Sequence, residues 1–145
     1  MTPPRNVHAS VVAFGPWTGI LILGPSASGK SSLALGLIQS GAQLVADDQV
    51  FVTAQDGALF ARAPHSIAGL IEARGVGLLK MTHRRLAQIG LIVDMGLPRG
   101  PRLPTPNTRE FLGVPLPCLP GGTDPCFVQA ISIAMKTNTG TRGAR

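Results

Sequence analysis

Tyrosine is absent from the 145-residue chain, tryptophan occurs once and phenylalanine five times. A surface that stacks nucleic-acid bases needs rings interleaved with basic residues, and no such interleaving exists here. Cysteine is almost as scarce. Cys118 and Cys126 stand eight apart with no CxxC pair or Cys/His cluster, so neither a disulfide framework nor a zinc site is encoded and reduced thiols are expected. Long apolar runs are missing too: Gly19–Leu23 ends after five residues, against the ~20 needed to span a bilayer. Pro16, Trp17 and Thr18 interrupt the N-terminal apolar stretch and no small-residue cleavage site follows, so no signal peptide is read. These absences leave a soluble, cytoplasmic domain with no membrane or nucleic-acid partner.

Acids are the other shortage. Seven Asp+Glu face thirteen Lys+Arg, a net charge of +6. The basic residues are scattered, with only Arg84 and Arg85 adjacent, which describes solvated surface rather than a nucleic-acid stripe. The acids are Asp47, Asp48, Asp56, Glu72, Asp94, Glu110 and Asp124, and any metal ligand or carboxylate base must come from that set. With 44% hydrophobic and 14% charged residues, the chain is too apolar to be disordered. Its length suits one domain that hides about two thirds of its unfolded surface.

Val7–Phe14 and Gly19–Leu23 read as adjacent strands or a hairpin around a Gly-Pro-Trp-Thr-Gly turn. Lys30–Gln39 carries Leu33, Ala34, Leu37 and Ile38 at helical spacing, with Gly41 where a helix C′ residue belongs. Strands are expected at Gln43–Ala46, Val50–Ala54 and Ala58–Arg62, the last two joined by an Asp56-Gly57 turn. Val76–Met81 and Leu91–Met95 are further strands, whereas Ile67–Glu72 and Thr82–Gln88 read as ambiguous or short helical pieces. Eight of the thirteen prolines fall between Pro98 and Pro125, which predicts loop, edge strand and turns there. A final helix is expected over Asp124–Lys136, capped by Thr123 or Asp124 with Pro125 at its first position. The domain is thus bounded at 1–136, followed by a flexible basic tail over 137–145.

Gly24-Pro25-Ser26-Ala27-Ser28-Gly29-Lys30-Ser31 is GxxxxGK[ST], directly after a strand and before a helix. The glycines let successive N–H groups point inward at phosphate oxygens, and the helix aims its positive end at the same anion. Lys30 reaches the β/γ-phosphates and the Ser31 hydroxyl ligates Mg²⁺. Sixteen residues on, the strand LVA ends in Asp47-Asp48. Neighbours on an extended segment point to opposite sides, so one acid can face a metal and the other an acceptor hydroxyl as general base. Asp94, closing LIVDM, has the pattern of a second metal-side aspartate, and Glu72-Ala73-Arg74-Gly75-Val76-Gly77 sets an acid and a guanidinium beside two glycines.

In this order, HASVVAFGPWTGILILGPSASGKSSLALGLIQSGAQLVADDQV, SIAGLIEARGVGLLKM, LIVDMG and PRLP closely resemble the catalytic domain of HPr kinase/phosphorylase, most of all its short single-domain alphaproteobacterial form. The resemblance implies an α/β fold of the P-loop kinase type, similar to phosphoenolpyruvate carboxykinase, with a mixed β-sheet and flanking helices. It implies an ATP- and Mg²⁺-dependent serine kinase acting on the phosphocarrier HPr or a nitrogen-branch paralogue, in a homo-oligomer. It also implies the reverse phosphorolysis, in which inorganic phosphate attacks phosphoserine and releases pyrophosphate. Carried over residue by residue, Gly24–Ser31 holds the nucleotide. Asp47 is the base, with Lys30, Arg74 and Arg102 also catalytic, and Ser31, Asp48 and Glu72 lie on the metal side. His8 matches a histidine ahead of the loop, and Gly75 falls in the signature linked to phosphorolysis. Ser32, Ala73 and Leu119–Asp124 depart from the family's pattern, and the separate N-terminal domain of longer relatives is lacking. Those departures keep a non-catalytic nucleotide sensor in view beside a small-molecule P-loop kinase.

Overall fold

The computed structural model describes residues 3–98 and 107–142. The strands are β1 (Arg5–Val7), β2 (Ser10–Ala13), β3 (Gly19–Leu23), β4 (Gln43–Ala46), β5 (Val50–Gln55), β6 (Ala58–Arg62), β7 (Leu70–Ala73), β8 (Gly77–Lys80), β9 (Ala87–Asp94), β10 (Thr108–Phe111) and β11 (Val114–Pro120). The helices are α1 (Lys30–Gln39) and α2 (Pro125–Arg142), with a short 3₁₀ turn at His65–Ile67. Among the described residues, no helix is long and apolar enough to cross a membrane.

β3 runs parallel to β9 and antiparallel to β2, and β2 in turn pairs antiparallel with β4. The architecture is therefore α/β with a mixed sheet, as the sequence implies. β9 gives one edge to β3 and divides the other, with Ala87 and Gln88 on β6 and Ile92–Asp94 parallel to β11. That split folds the sheet over a second core. The period-two rule of strands then sorts the apolar residues. Val12, Ile20, Ile22, Leu91 and Val93 pack beneath the helices with Leu33, Leu37, Ile131 and Met135. Val11, Leu21 and Ile92 face the other way, onto Val50, Val52, Leu59 and Cys118.

α1 spans the expected residues and ends in a Schellman turn: Gly41, at φ 117°, donates its N–H to Ile38 O, and Ala42 donates to Leu37 O. The β5–β6 hairpin also falls where expected. Four expectations need correction. Val7–Phe14 is two strands, because the chain crosses at His8-Ala9 from β5, the partner of β1, to β3 and β4, the partners of β2. Ile67–Glu72 is no helix: Ile71 and Ala73 point inward and Glu72 outward, the alternation of β7. Likewise Thr82–Gln88 ends in the first residues of β9. The proline-rich segment holds strand, as expected of it, in the edge-like form that proline allows. β11 pairs with β10 over Val114–Pro117 and with β9 over Cys118–Pro120, the changeover falling at Cys118, whose N–H also donates to Asn107 O at 2.9 Å. α2 starts at Pro125, with Asp124 Oδ2 accepting the Phe127 N–H at 3.1 Å, and continues through Arg142, past the expected boundary at 136.

Candidate functional site

One cleft of about 360 Å³ gathers His8, Ser10, Ser26, Ala27, Gly29, Lys30, Ser31, Ser32, Asp48, Glu72 and Arg74. Five parts of the chain supply it: the β1–β2 crossing, the β3–α1 loop, the start of α1, the exit of β4 and the β7–β8 hairpin.

The loop holds its curve through residues that a side chain would spoil. Gly24 (φ 149°) and Gly29 (φ 100°) take left-handed backbone, and a Cβ at Gly24 would lie 2.6 Å from Ser28 Oγ. Gly29 is also the N-cap of α1, with no side-chain cap and no acid in the first helical turn. The unsatisfied N–H groups of that turn therefore point at the cleft, where an anion would satisfy them. Lys30 is 7% exposed and donates to the carbonyls of Gly24 and Pro25, each at 2.8 Å, so its ammonium spans the loop.

The two adjacent acids part company. Asp47 is 6% exposed. Its Oδ1 accepts the hydroxyls of Ser10 and Ser31, each at 2.7 Å, and its Oδ2 accepts the backbone N–H of Glu72 at 3.0 Å. Asp48 adopts left-handed backbone (φ 71°), which turns its carboxylate outward at 65% exposure. There it stands 3.3 Å from His8 Nδ1, while His8 Nε2 lies 3.4 Å from Ser26 Oγ. His8 thus bridges the loop and the outward acid. The acid that fronts the cleft is Asp48, and Asp47 lies behind it against Ser31.

Of the residues expected from the sequence, the cleft unites Gly29, Lys30, Ser31, Asp48, Glu72, Arg74 and His8, with Ser26 and Ala27 of the loop. Arg102 lies outside the described residues. Asp94 does not line the cleft. Its Oδ2 takes Arg109 Nη2 at 2.8 Å and its Oδ1 takes the Gly96 N–H, which makes it a brace between strand ends. Ser10 was not anticipated: it opens β2, and the pairing of β2 with β4 is what brings its hydroxyl to Asp47.

As a seat for Mg²⁺, the donor set is a hydroxyl and carboxylates, hard oxygens throughout. A hydroxyl with one or two carboxylates is the kind of donor set that Mg²⁺ takes, its remaining positions being filled by substrate phosphates and water. The residues fit.

Residues 1–86 match the family model for the HPr Serine kinase C-terminal domain. A Geobacillus protein (strain WCH70) named HPr kinase/phosphorylase is 38% identical over 109 residues, 67% of this chain and 33% of its own length. A Clostridium kluyveri protein of the same name is 48% identical over 83 residues, 57% of this chain and 26% of its own length. The chain thus spans about a third or less of these curated relatives. The solved structure of the Hpr(Ser) kinase/phosphatase from Coxiella burnetii shares the fold, with a TM-score of 0.76 at 24% identity, over 94% of this chain and 99% of that one.

Proposed function

Because the chain belongs to the family of HPr serine kinase C-terminal domains, we propose that its cleft transfers the γ-phosphoryl group of ATP to a serine hydroxyl of an HPr-type phosphocarrier, in the cytoplasm. The observation that carries this reading is the division of labour between the paired acids: one buried on the loop's hydroxyl, the other open to the cleft.

In this mechanism the inward N–H groups of Gly24–Ser31 and the Lys30 ammonium hold the β- and γ-phosphates. Ser31 and Asp47, with Glu72 beside them, would hold Mg²⁺, which supplies charge neutralisation on the phosphates when bound. Asp48 stands where an acceptor serine would enter and takes the hydroxyl proton as the serine oxygen bonds to the γ-phosphorus and ADP departs. His8 keeps that carboxylate oriented. The two acids therefore exchange the roles that the sequence suggests, since a carboxylate already receiving three hydrogen bonds behind the cleft is poorly placed to reach an acceptor. Arg74 offers a guanidinium to the transferred group, and in the reverse direction to inorganic phosphate attacking phosphoserine, with pyrophosphate as product. Most of the rate enhancement is positioning and electrostatics, as for phosphoryl transfer generally.

The test is transfer of γ-labelled phosphate from MgATP to purified HPr, with the product mapped to serine. Phosphoserine-HPr with inorganic phosphate is run separately for pyrophosphate. Labelled serine supports the reading. Tight MgATP binding without any label in HPr would overturn it in favour of a nucleotide sensor.

A further inference from the structure

The phosphate loop carries a hydroxyl that HPr phosphorylation does not use. Ser26 lies at the corner of a tight turn, closed by the Ser28 N–H to Pro25 O at 3.2 Å. Ala27, beside it in that corner, holds left-handed backbone at φ 64°, a conformation uncommon outside glycine. Such strain gathers at functional positions, and Ser26 next to it lines the cleft. The other loop hydroxyls are placed differently: Ser31 is committed to Asp47, and the buried Ser28 Oγ has no partner.

Ser26 Oγ is 3.4 Å from His8 Nε2, and His8 Nδ1 is 3.3 Å from Asp48 Oδ1. A neutral imidazole carries one N–H and one free nitrogen. With the N–H at Nδ1 facing the Asp48 carboxylate, Nε2 is left to accept the Ser26 hydroxyl. Hydroxyl, imidazole and carboxylate thus stand in the order that activates a serine as nucleophile. Contacts of this kind tighten when the substrate is bound. Lys30 brings the electrophile close, since its ammonium is 2.8 Å from the carbonyls of Gly24 and Pro25, the residues just before Ser26. A γ-phosphoryl group held by that ammonium comes within about one peptide of the Ser26 hydroxyl.

Resting on the donor pose of the reading given above, we infer that Ser26 is a self-phosphorylation site, with His8 as its base and Asp48 orienting the imidazole. Ser26 Oγ bonds to the γ-phosphorus of ATP as the bond from that phosphorus to the β–γ bridging oxygen breaks. The hydroxyl proton passes to His8 Nε2, ADP leaves with the electron pair, and Asp48 faces the imidazolium. The product is a phosphoserine within the phosphate loop itself.

The chain is incubated with γ-labelled MgATP in the absence of HPr, and its phosphopeptides are mapped by mass spectrometry. Label accumulates on Ser26 at a rate independent of chain concentration, as transfer within one molecule requires. His8→Asn slows it on the order of 10²–10⁴-fold, the usual value of a general base. Ser26→Ala abolishes it, and Ser26→Thr restores it as phosphothreonine. Without any nucleotide, ¹⁵N NMR of the histidine rings finds the proton of His8 on Nδ1, and the Nε2 signal shifts in Ser26→Ala. A chain that stays unlabelled while HPr is phosphorylated in a parallel reaction overturns the Ser26 site and spares the kinase reading. Label on Ser26 with none on HPr leaves the site standing and overturns that reading instead. No label on either overturns both. Label on a different residue, equal labelling in His8→Asn, a rate that rises with chain concentration, or a His8 proton on Nε2 also overturns the site.

Discussion

The Ser31 hydroxyl donates to Asp47 Oδ1 at 2.7 Å, tying the first turn of α1 to the end of β4 across sixteen residues of sequence. A hydroxyl has one O–H and two lone pairs. With its hydrogen committed to Asp47, Ser31 keeps its lone pairs for a cation. Asp48, one peptide further, has turned away to the solvent side beside His8.

Substitution of the two acids therefore separates two functions. Asp48→Asn removes the proton acceptor and lowers kcat by about 10²–10⁴-fold, the usual value of general-base catalysis, while MgATP binds as before. Asp47→Asn swaps one accepting oxygen for an NH₂ group, but three donors surround that side chain. At least one donor then loses its acceptor, at about 1–3 kcal/mol, so thermal stability and Mg²⁺-dependent nucleotide affinity fall together. Calorimetric titration with ATP, with and without Mg²⁺, distinguishes the variants. Retained kcat in Asp48→Asn would return the base to Asp47.

In the proposed mechanism Ser10, which donates to Asp47 Oδ1 at 2.7 Å, is a positioning residue. Ser10→Ala deletes one of the two hydroxyls on Asp47 Oδ1 and leaves the carboxylate freer to rotate away from Ser31. A hydrogen bond of this kind contributes about 1–2 kcal/mol, so the Mg²⁺ concentration for half-maximal nucleotide binding rises several-fold, with little change in binding of metal-free ATP. Ser10→Thr restores the hydroxyl and the Mg²⁺ dependence. A purely structural role would lower the melting temperature of Ser10→Ala without moving the Mg²⁺ titration.

The two thiols differ in reactivity. Cys118 is buried in β11 and burial pushes its pKa up, an effect that Arg109 partly opposes and Asp94 reinforces. Less thiolate forms at any given pH, and the thiolate is the nucleophile. Iodoacetamide at neutral pH labels the exposed Cys126 well before Cys118, as read by peptide mass spectrometry. The raised pKa also has a linkage consequence. The folded state holds its proton where the unfolded chain has lost it, so the stability contributed is fully present below the unfolded value of roughly 8.5. It fades as pH rises through the folded value. Cys118→Ala shows a shallower alkaline loss of stability than the parent chain.

Local patterns were legible wherever one rule governed the segment. α1 followed from its spacing and Gly41, and the β5–β6 hairpin from Asp56-Gly57, because caps and turns are local chemistry. The acid pair was legible as a pair, but its side chains part through the left-handed turn at Asp48 (φ 71°) past the end of β4, not through strand alternation. Which acid turns inward depends on Ser10 and the Glu72 N–H, brought in from β2 and β7, and such non-local partners leave no trace in the spacing. β7 was misread for a related reason: Leu70–Ala73 is four residues long, too short for period two to stand out from period 3.6. β11 was legible only as the edge strand that proline permits; its division between β10 and β9, which keeps Pro115 and Pro117 on the β10 side, depends on partners far off in sequence.

Asp94 looks like a metal-side aspartate by sequence, yet it receives Arg109 at 2.8 Å and the Gly96 N–H at 2.8 Å, outside the cleft. Arg109 reaches it from β10, so the pair fastens the β10–β11 arm to the ends of β9 and β3, where Asp94 is the register partner of both Leu23 and Pro120. A carboxylate that is mostly buried loses more than a surface ion pair does when its partner goes, so Arg109→Met costs about 1–3 kcal/mol in urea unfolding. Asp94→Asn, which keeps an oxygen for Gly96, costs less. The double variant loses less than the two single losses combined, because each single change removes the same interaction. Strict additivity would mean that the pair does not couple. Mg²⁺-dependent ATP binding survives in Asp94→Asn, as a brace requires. A metal ligand could not be replaced so lightly, and loss of Mg²⁺ dependence in that variant would move Asp94 into the site.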